Sequence, residues 1–171
     1  MERIKRNPGG WGVALGGAIG LLSVFFAWLS VTDSVTNVTA KAPAFRAVSG
    51  QTLGFLALLV MMCGLGLMAS TGVGRFLWGL LALLSAGIIL AAGLITIFSP
   101  ETTAQQFATT QLISTLKITG VQESASAAIK AGFDSGDLTA KFALGAIVGT
   151  IGGALGVLGA IYGFRKKPNA A

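Results

Sequence analysis

Residues 142–163, FALGAIVGTIGGALGVLGAIYG, form a 22-residue stretch without a single charge. At about 1.5 Å per residue, a helix of that length reaches roughly 33 Å, enough to cross the hydrocarbon core of a bilayer. Seven of these residues are glycine: Gly145, Gly149, Gly152, Gly153, Gly156, Gly159 and Gly163. In water each would cost a helix about 1 kcal/mol relative to alanine. In lipid, backbone groups left without hydrogen bonds cost more, so the segment stays helical and the glycines become a surface for close helix contact. Gly145, Gly149 and Gly153 recur every four residues and define one bare ridge. Gly152, Gly156 and Gly159 define a second, overlapping one. Such a glycine zipper either docks onto a partner protein or packs against the chain's own helices, and internal packing is the commoner use.

Three further apolar runs share this character. Residues 11–31 follow a basic leader, MERIKRNPGG, and are too long for the apolar core of a signal peptide. They read as a retained first transmembrane helix, with Gly12, Gly16 and Gly20 as its own four-residue ridge. Trp11 and Trp28 lie near its two ends, where interfacial aromatics belong. Residues 51–70 and 76–98 read as the second and third spans, joined by a turn so tight that the two form an antiparallel hairpin. Pro100 is a stop signal after the third. The fold class is therefore an all-α integral membrane protein: a single domain over 1–171, built as a four-helix transmembrane bundle.

Composition agrees with this reading. The chain is 53% hydrophobic and only 11% charged, with a mean hydropathy of +0.79. The net charge of +6 does not indicate nucleic acid, because six of the twelve basic residues sit at the two ends: Arg3, Lys5 and Arg6, then Arg165, Lys166 and Lys167. Basic clusters beside spans set topology and contact anionic lipid headgroups. With Arg75 in the short 70–75 turn, they place both termini in the cytoplasm and the 32–50 and 99–141 loops outside a cell (plasma) membrane. The 32–50 connection is rich in Thr and Val and has room for a short strand or hairpin. The 99–141 segment is too long for a structureless loop and reads as partly helical. Its candidates are an amphipathic stretch around Phe107–Ile118 and a second over Val121–Ala131, before a turn at Asp134–Asp137.

The four runs contain no Asp, Glu, Lys, Arg or His, whereas ion-coupled carriers place ionisable groups within the membrane. The chain has no histidine and one cysteine, Cys63, so it cannot build a four-ligand Cys/His zinc site. The GVGR at 72–75 lacks the lysine and hydroxyl of a P-loop. Asp134 and Asp137 in their turn offer a cation two carboxylates, but a turn rich in Asp, Ser and Gly is the commoner meaning. No catalytic residue, cofactor or metal ligand is assigned, and an enzyme is not expected.

The passage WGVALGGAIGLLSVFFAWLSVT resembles the first helix of small four-span actinobacterial proteins, in which a Gly/Ala/Leu-rich helix ends in an aromatic-Trp step. The four-span layout and basic tail are similar as well. One such group is the tryptophan-associated transmembrane proteins. The resemblance implies a four-span membrane protein and assigns no functional residue.

These observations lead to an expected role as a non-catalytic accessory or assembly subunit of a larger membrane complex, serving respiration or lipid and cell-envelope transport. Its partners are larger integral membrane proteins and membrane lipids. The candidate packing or docking residues are Gly12, Gly16, Gly20, Gly145, Gly149, Gly153 and Gly156. A homo-oligomeric channel or pore and a lipid-binding tetraspan-like scaffold are the alternatives.

Overall fold

The computed structural model describes residues 7–34, 37, 39–46, 48–105 and 130–165. The elements run α1 (Pro8–Ser23), β1 (Ala27–Asp33), β2 (Thr39–Pro43), a 3-10 turn (Ala44–Arg46), α2 (Val48–Ala69), α3 (Gly72–Phe98), β3 (Leu138–Phe142) and α4 (Leu144–Arg165). Residues 100–105 and 130–134 are also helical. The candidate helices in 107–118 and most of the one in 121–131 lie outside the described residues.

The structure is mostly helical, and among the described residues three helices are long and apolar enough to cross a membrane: Ser49–Ala69, Gly72–Phe98 and Leu144–Phe164. The first apolar run departs from expectation. Its helix begins earlier, at Pro8, and ends at Ser23 after 16 residues, about 24 Å at 1.5 Å per residue. The rest of the run, from Ala27, is a β-strand. A run that is apolar throughout has no period of its own, so it suits a buried strand as well as a helix. The chain turns at Val24–Phe26, where Phe25 N–H donates to Leu22 O and Phe26 N–H to Ser23 O. From there the backbone of Ala27–Asp33 is satisfied by pairing on both sides, with β2 and with β3, both antiparallel.

The early start has a local cause. Asn7 caps α1, its Oδ1 accepting from Gly10 N–H at 3.2 Å, and Pro8 occupies the first turn, where its missing N–H costs nothing. The Asn7 Nδ2 also donates to Leu67 O at 2.9 Å, satisfying a carbonyl in the last turn of α2. One buried amide thus ties the start of α1 to the end of α2.

The helices run up and down in sequence, so α1 starts and α4 ends at the same end of the bundle. Each helix packs on the two beside it, and α1 lies diagonally across from α3. The core at mid-height holds Val13, Ala57, Val60, Cys63, Leu67, Ala82, Ala86, Ile89 and Ala160. A second core, with Val24, Trp28, Leu29, Ala44, Ala104 and Ala146, lies where the sheet meets the helix ends. At the opposite end Arg75, in the first turn of α3, donates from Nη2 to Gly163 O at 2.7 Å. A cation there complements the negative end of α4.

The α1–α4 contact is made by glycine. A Cβ added at Gly9 would lie 2.6 Å from Gly163 N, one at Gly12 3.1 Å from Gly159 Cα, one at Gly16 2.5 Å from Gly156 N, and one at Gly152 2.6 Å from Gly20 N. Open space surrounds Gly87 on α3. Replacing Gly16 by alanine should lower stability in detergent by about 1–3 kcal/mol, the range for overpacked cores. Gly87→Ala should be neutral or stabilising, by up to about 1 kcal/mol. Thermal unfolding of the two variants beside the parent checks the contrast.

Candidate functional site: the glycine seam, the sheet and a groove

The glycines of α4 on the side that passes α1 and Trp28 are Gly145, Gly149, Gly152, Gly156, Gly159 and Gly163, in alternating steps of four and three; an added Cβ would meet α1 at Gly149, Gly152 and Gly159, Trp28 at Gly145 and Gly149, and Ala86 and Leu67 at Gly156 and Gly163 respectively. That spacing keeps them on one side of a helix with 3.6 residues per turn, whereas strict steps of four drift around it. This regroups the ridge expected from Gly145, Gly149 and Gly153. Gly153 turns toward α3, where an added Cβ would lie 2.6 Å from Leu90 N, while Gly152 continues the seam with α1. The Gly156 backbone is approached from Gly16, but an added Cβ at Gly156 would itself lie 2.8 Å from the Ala86 methyl and 3.4 Å from Val60 Cγ1, toward α3 and α2. In α1, Gly12 and Gly16 face α4, whereas an added Cβ at Gly20 would point at Ala57 and Ile89, and only the Gly20 backbone is approached from α4, by Gly152. All seven of the glycines proposed from sequence are therefore set against the chain's own elements.

The seam outlasts the helix that begins it. Above Ser23 the partner of α4 is Trp28, whose ring lies against Gly149, 2.7 Å from where a Cβ would be, and against Gly145. Trp28 is only 1% exposed, and its indole Nε1 donates to Ser23 O at 2.9 Å. It is thus a buried plug rather than the interfacial aromatic expected from its position near the end of an apolar run. Trp11, at the other end, is exposed. The plug depends on an irregularity in the strand: Ala27 pairs with Pro43 and Leu29 with Ala42, so Trp28 is the extra residue of a β-bulge. A regular strand sends consecutive side chains to opposite faces, and the bulge lets Trp28 and Leu29 both be buried. The Trp28 carbonyl accepts from Ala143 N–H at 2.8 Å, closing the junction between β3 and α4.

Beyond the bulge the sheet alternates regularly. Val31, Ala42 and Ala140 pack on the upper core. The other face carries two cross-strand rows, Lys41–Ser30–Lys141 and Thr39–Thr32–Thr139. Directly opposed residues share a face, so both lysines and four hydroxyls lie together, and Lys41, Lys141, Thr39 and Thr139 are exposed. The Thr32 and Thr39 hydroxyls are 3.0 Å apart. Alternation in TAKAP and LTAKF was the available signal for β2 and β3, but each strand has only five residues. The hairpin foreseen in 32–50 is present and begins earlier, within the apolar run. Asn37 in its connection has φ 56°, a left-handed conformation that asparagine tolerates.

Asp134–Asp137 closes a turn, with Gly136 at φ 79°. Ser135 Oγ donates to Asp137 Oδ2 at 2.7 Å, and Asp137 O accepts from Ser34 N–H at 2.7 Å, linking the turn to β1. Among the described residues no three His, Cys, Asp or Glu side chains gather as metal ligands.

At the chain-terminal end of the bundle a groove of about 400 Å³ opens along the α1–α4 seam. Gly9 and Gly159 are buried beneath it, and Leu155, Leu158 and Tyr162 stand exposed at its sides. Its volume falls within the roughly 300–1,000 Å³ of ligand clefts.

No protein-family model, curated protein or solved structure matches the chain.

Trp28→Ala should destabilise the protein by about 3–5 kcal/mol, the cost of deleting a large buried ring. Trp28→Phe keeps most of the ring but leaves Ser23 O without its donor, and should cost about 1–3 kcal/mol. Thermal unfolding in detergent that ranks the two in the reverse order would remove the plug from this account.

Proposed function

We propose that the protein is a non-catalytic accessory or assembly subunit of a larger complex in the cell membrane. The observation that carries the reading is the use of the seven proposed glycines inside the molecule. The bundle is fastened internally, and among the described residues the polar face of the sheet gathers lysines and hydroxyls suited to recognition. Lys41 and Lys141 flank Ser30 there, a pattern suited to carboxylates on a partner protein. Respiratory assemblies and lipid or cell-envelope transporters are the hosts proposed, in keeping with the resemblance to small four-span actinobacterial proteins.

In this reading α1 and the turn after it supply a fourth crossing beside the three long helices. The exposed Phe25 and Phe26 lie at its outer end. Both termini are cytoplasmic and the sheet is outside, as the basic flanks favour. In a Cys63→Ala background, a cysteine at Thr139 should react with a membrane-impermeant maleimide on intact cells, and one at Ala171 only after lysis. The reverse pattern would invert the threading.

The glycine ridges that suggested a homo-oligomeric pore face inward, so that alternative loses its main support. The lipid-binding scaffold keeps a specific one, the groove over Gly9 and Gly159.

The deciding experiment is recovery of the tagged protein from native membranes in mild detergent, with mass spectrometry of what accompanies it. A stoichiometric set of larger membrane proteins is expected, and Lys41→Glu/Lys141→Glu should lose it while remaining inserted. Recovery of this chain alone would refute the subunit reading. Retention of the set by the double variant would remove the sheet face from it.

A further inference from the structure

We infer that the outer edge of β3 is where the partner docks, adding an extended acidic segment of its own as a fourth strand beside residues 140–142. The inference rests on the subunit reading and names the chemistry that its sheet would recognise.

Register decides which backbone groups point outward. Ala143 N–H donates to Trp28 O and Ser34 N–H to Asp137 O. Both pairs lie on the ladder that joins Ser30 to Lys141 and Thr32 to Thr139. Hydrogen-bonded and non-hydrogen-bonded pairs alternate along an antiparallel ladder. Thr139 and Lys141 therefore turn their backbone groups toward β1, whereas Leu138, Ala140 and Phe142 turn theirs away from the sheet. Leu138 packs against Gly132 in the short helix before it. The N–H and C=O of Ala140 and Phe142 remain, and among the described residues no hydrogen bond reaches them. The opposite edge is less suited to pairing. There the same alternation sends Thr39 and Lys41 outward, and β2 ends on Pro43, which has no N–H to give.

Side chains choose the occupant. The Lys41–Ser30–Lys141 and Thr39–Thr32–Thr139 rows hold two positive charges and no carboxylate. Asp137 follows the same alternation, but it is four residues from Lys141, roughly 13 Å at 3.3 Å per residue, and accepts from Ser135 Oγ at 2.7 Å. A strand beside β3 would place one side chain directly opposite Lys141 in a non-hydrogen-bonded pair, the kind in which side chains come closest. A carboxylate there is attracted and a second lysine repelled. A second copy paired about Ala140 would set the two Lys141 side chains diagonally, about 7–8 Å apart, and lysine on an edge is a device by which sheets resist self-pairing. On the other face the added strand would meet Ala140, which packs on the upper core, and Phe142, which is 45% exposed. The matching segment therefore alternates, acidic opposite Lys141 and apolar beside Phe142.

The test is residue-resolved amide hydrogen exchange of the full chain in detergent. One probe is a blocked heptapeptide that alternates valine and glutamate, and the other has lysine in place of glutamate. With the glutamate peptide at about ten times its Kd, the Ala140 and Phe142 amides should exchange about tenfold more slowly, because they are open only in the free protein. The lysine peptide should leave them unchanged. Ala140→Pro removes an outward N–H and no bond to β1, a position where an edge strand tolerates proline, and should abolish the effect. Thr39→Pro, its counterpart on the β2 edge, should keep it. Lys141→Glu should reverse the preference between the peptides, which keeps the inference refutable if Ala140→Pro does not fold. No slowing in the wild type, equal slowing by the two peptides, an unreversed preference in Lys141→Glu or slowing that survives Ala140→Pro overturns the inference. So does a dimer of the free chain that Ala140→Pro dissociates, which would give the edge to a second copy. Recovery from native membranes separates the two levels. Companions retained by Ala140→Pro overturn the edge and leave the subunit reading standing, whereas a wild-type chain recovered alone refutes that reading.

Discussion

Backbone-to-backbone contact between α1 and α4 is the constraint on which the rest of the architecture depends. Along this seam the peptide groups of one helix approach those of the other with no side chain between them. Dispersion falls steeply with distance, so removing the side chains converts a loose apposition into dense contact. The same requirement explains why α1 can be short. A helix of only 16 residues is held because it gives glycine after glycine to its neighbour. The polar locks lie at the ends, with Asn7 bonded to Leu67 and Arg75 to Gly163. They satisfy helix carbonyls that otherwise lack partners in the last turns.

Where α1 stops, the sheet takes over its place beside α4. The substitution works because the bulge at Trp28 puts an indole over Gly149 and Gly145. Helix, bulge and strand therefore present one continuous surface to α4, small below and large above. The sheet is not an independent appendage. β1 continues from α1, β3 leads into α4, and their pairing repeats at the level of strands the contact already made between the helices.

Legibility from sequence followed the physics of each element. The last helix and the hairpin of α2 and α3 were readable because long uncharged runs have one stable form in lipid. The glycines were recognisable as packing residues, yet their grouping was not, since ridges counted in steps of four ignore the drift of a 3.6-residue turn. The end of α1 was hidden for another reason. Val24–Val31 is apolar and aromatic, which suits a membrane helix and a buried strand equally, and the decision is made by pairing with Thr39–Pro43 and Leu138–Phe142, distant in sequence. Trp28 was misplaced with it. Asn7 followed by Pro8 is a recognisable helix start, but it sat within a leader that read as a basic flank. The exposed Lys41–Ser30–Lys141 row required knowledge of register, which no local pattern supplies.

The seam also sets an order of assembly. Its two halves belong to the first and last helices of the sequence, and the two strands that flank this junction are separated by more than a hundred residues. While the chain is being made, α2 and α3 can close on each other as a local hairpin, but the bare side of α1 has nothing to meet until α4 emerges. Contacts so remote in sequence are slow to form, and incomplete packing exposes such surfaces to wrong partners. An unfinished or truncated copy would therefore carry a distinctive mark, a glycine-lined helix face left without the partner it fits.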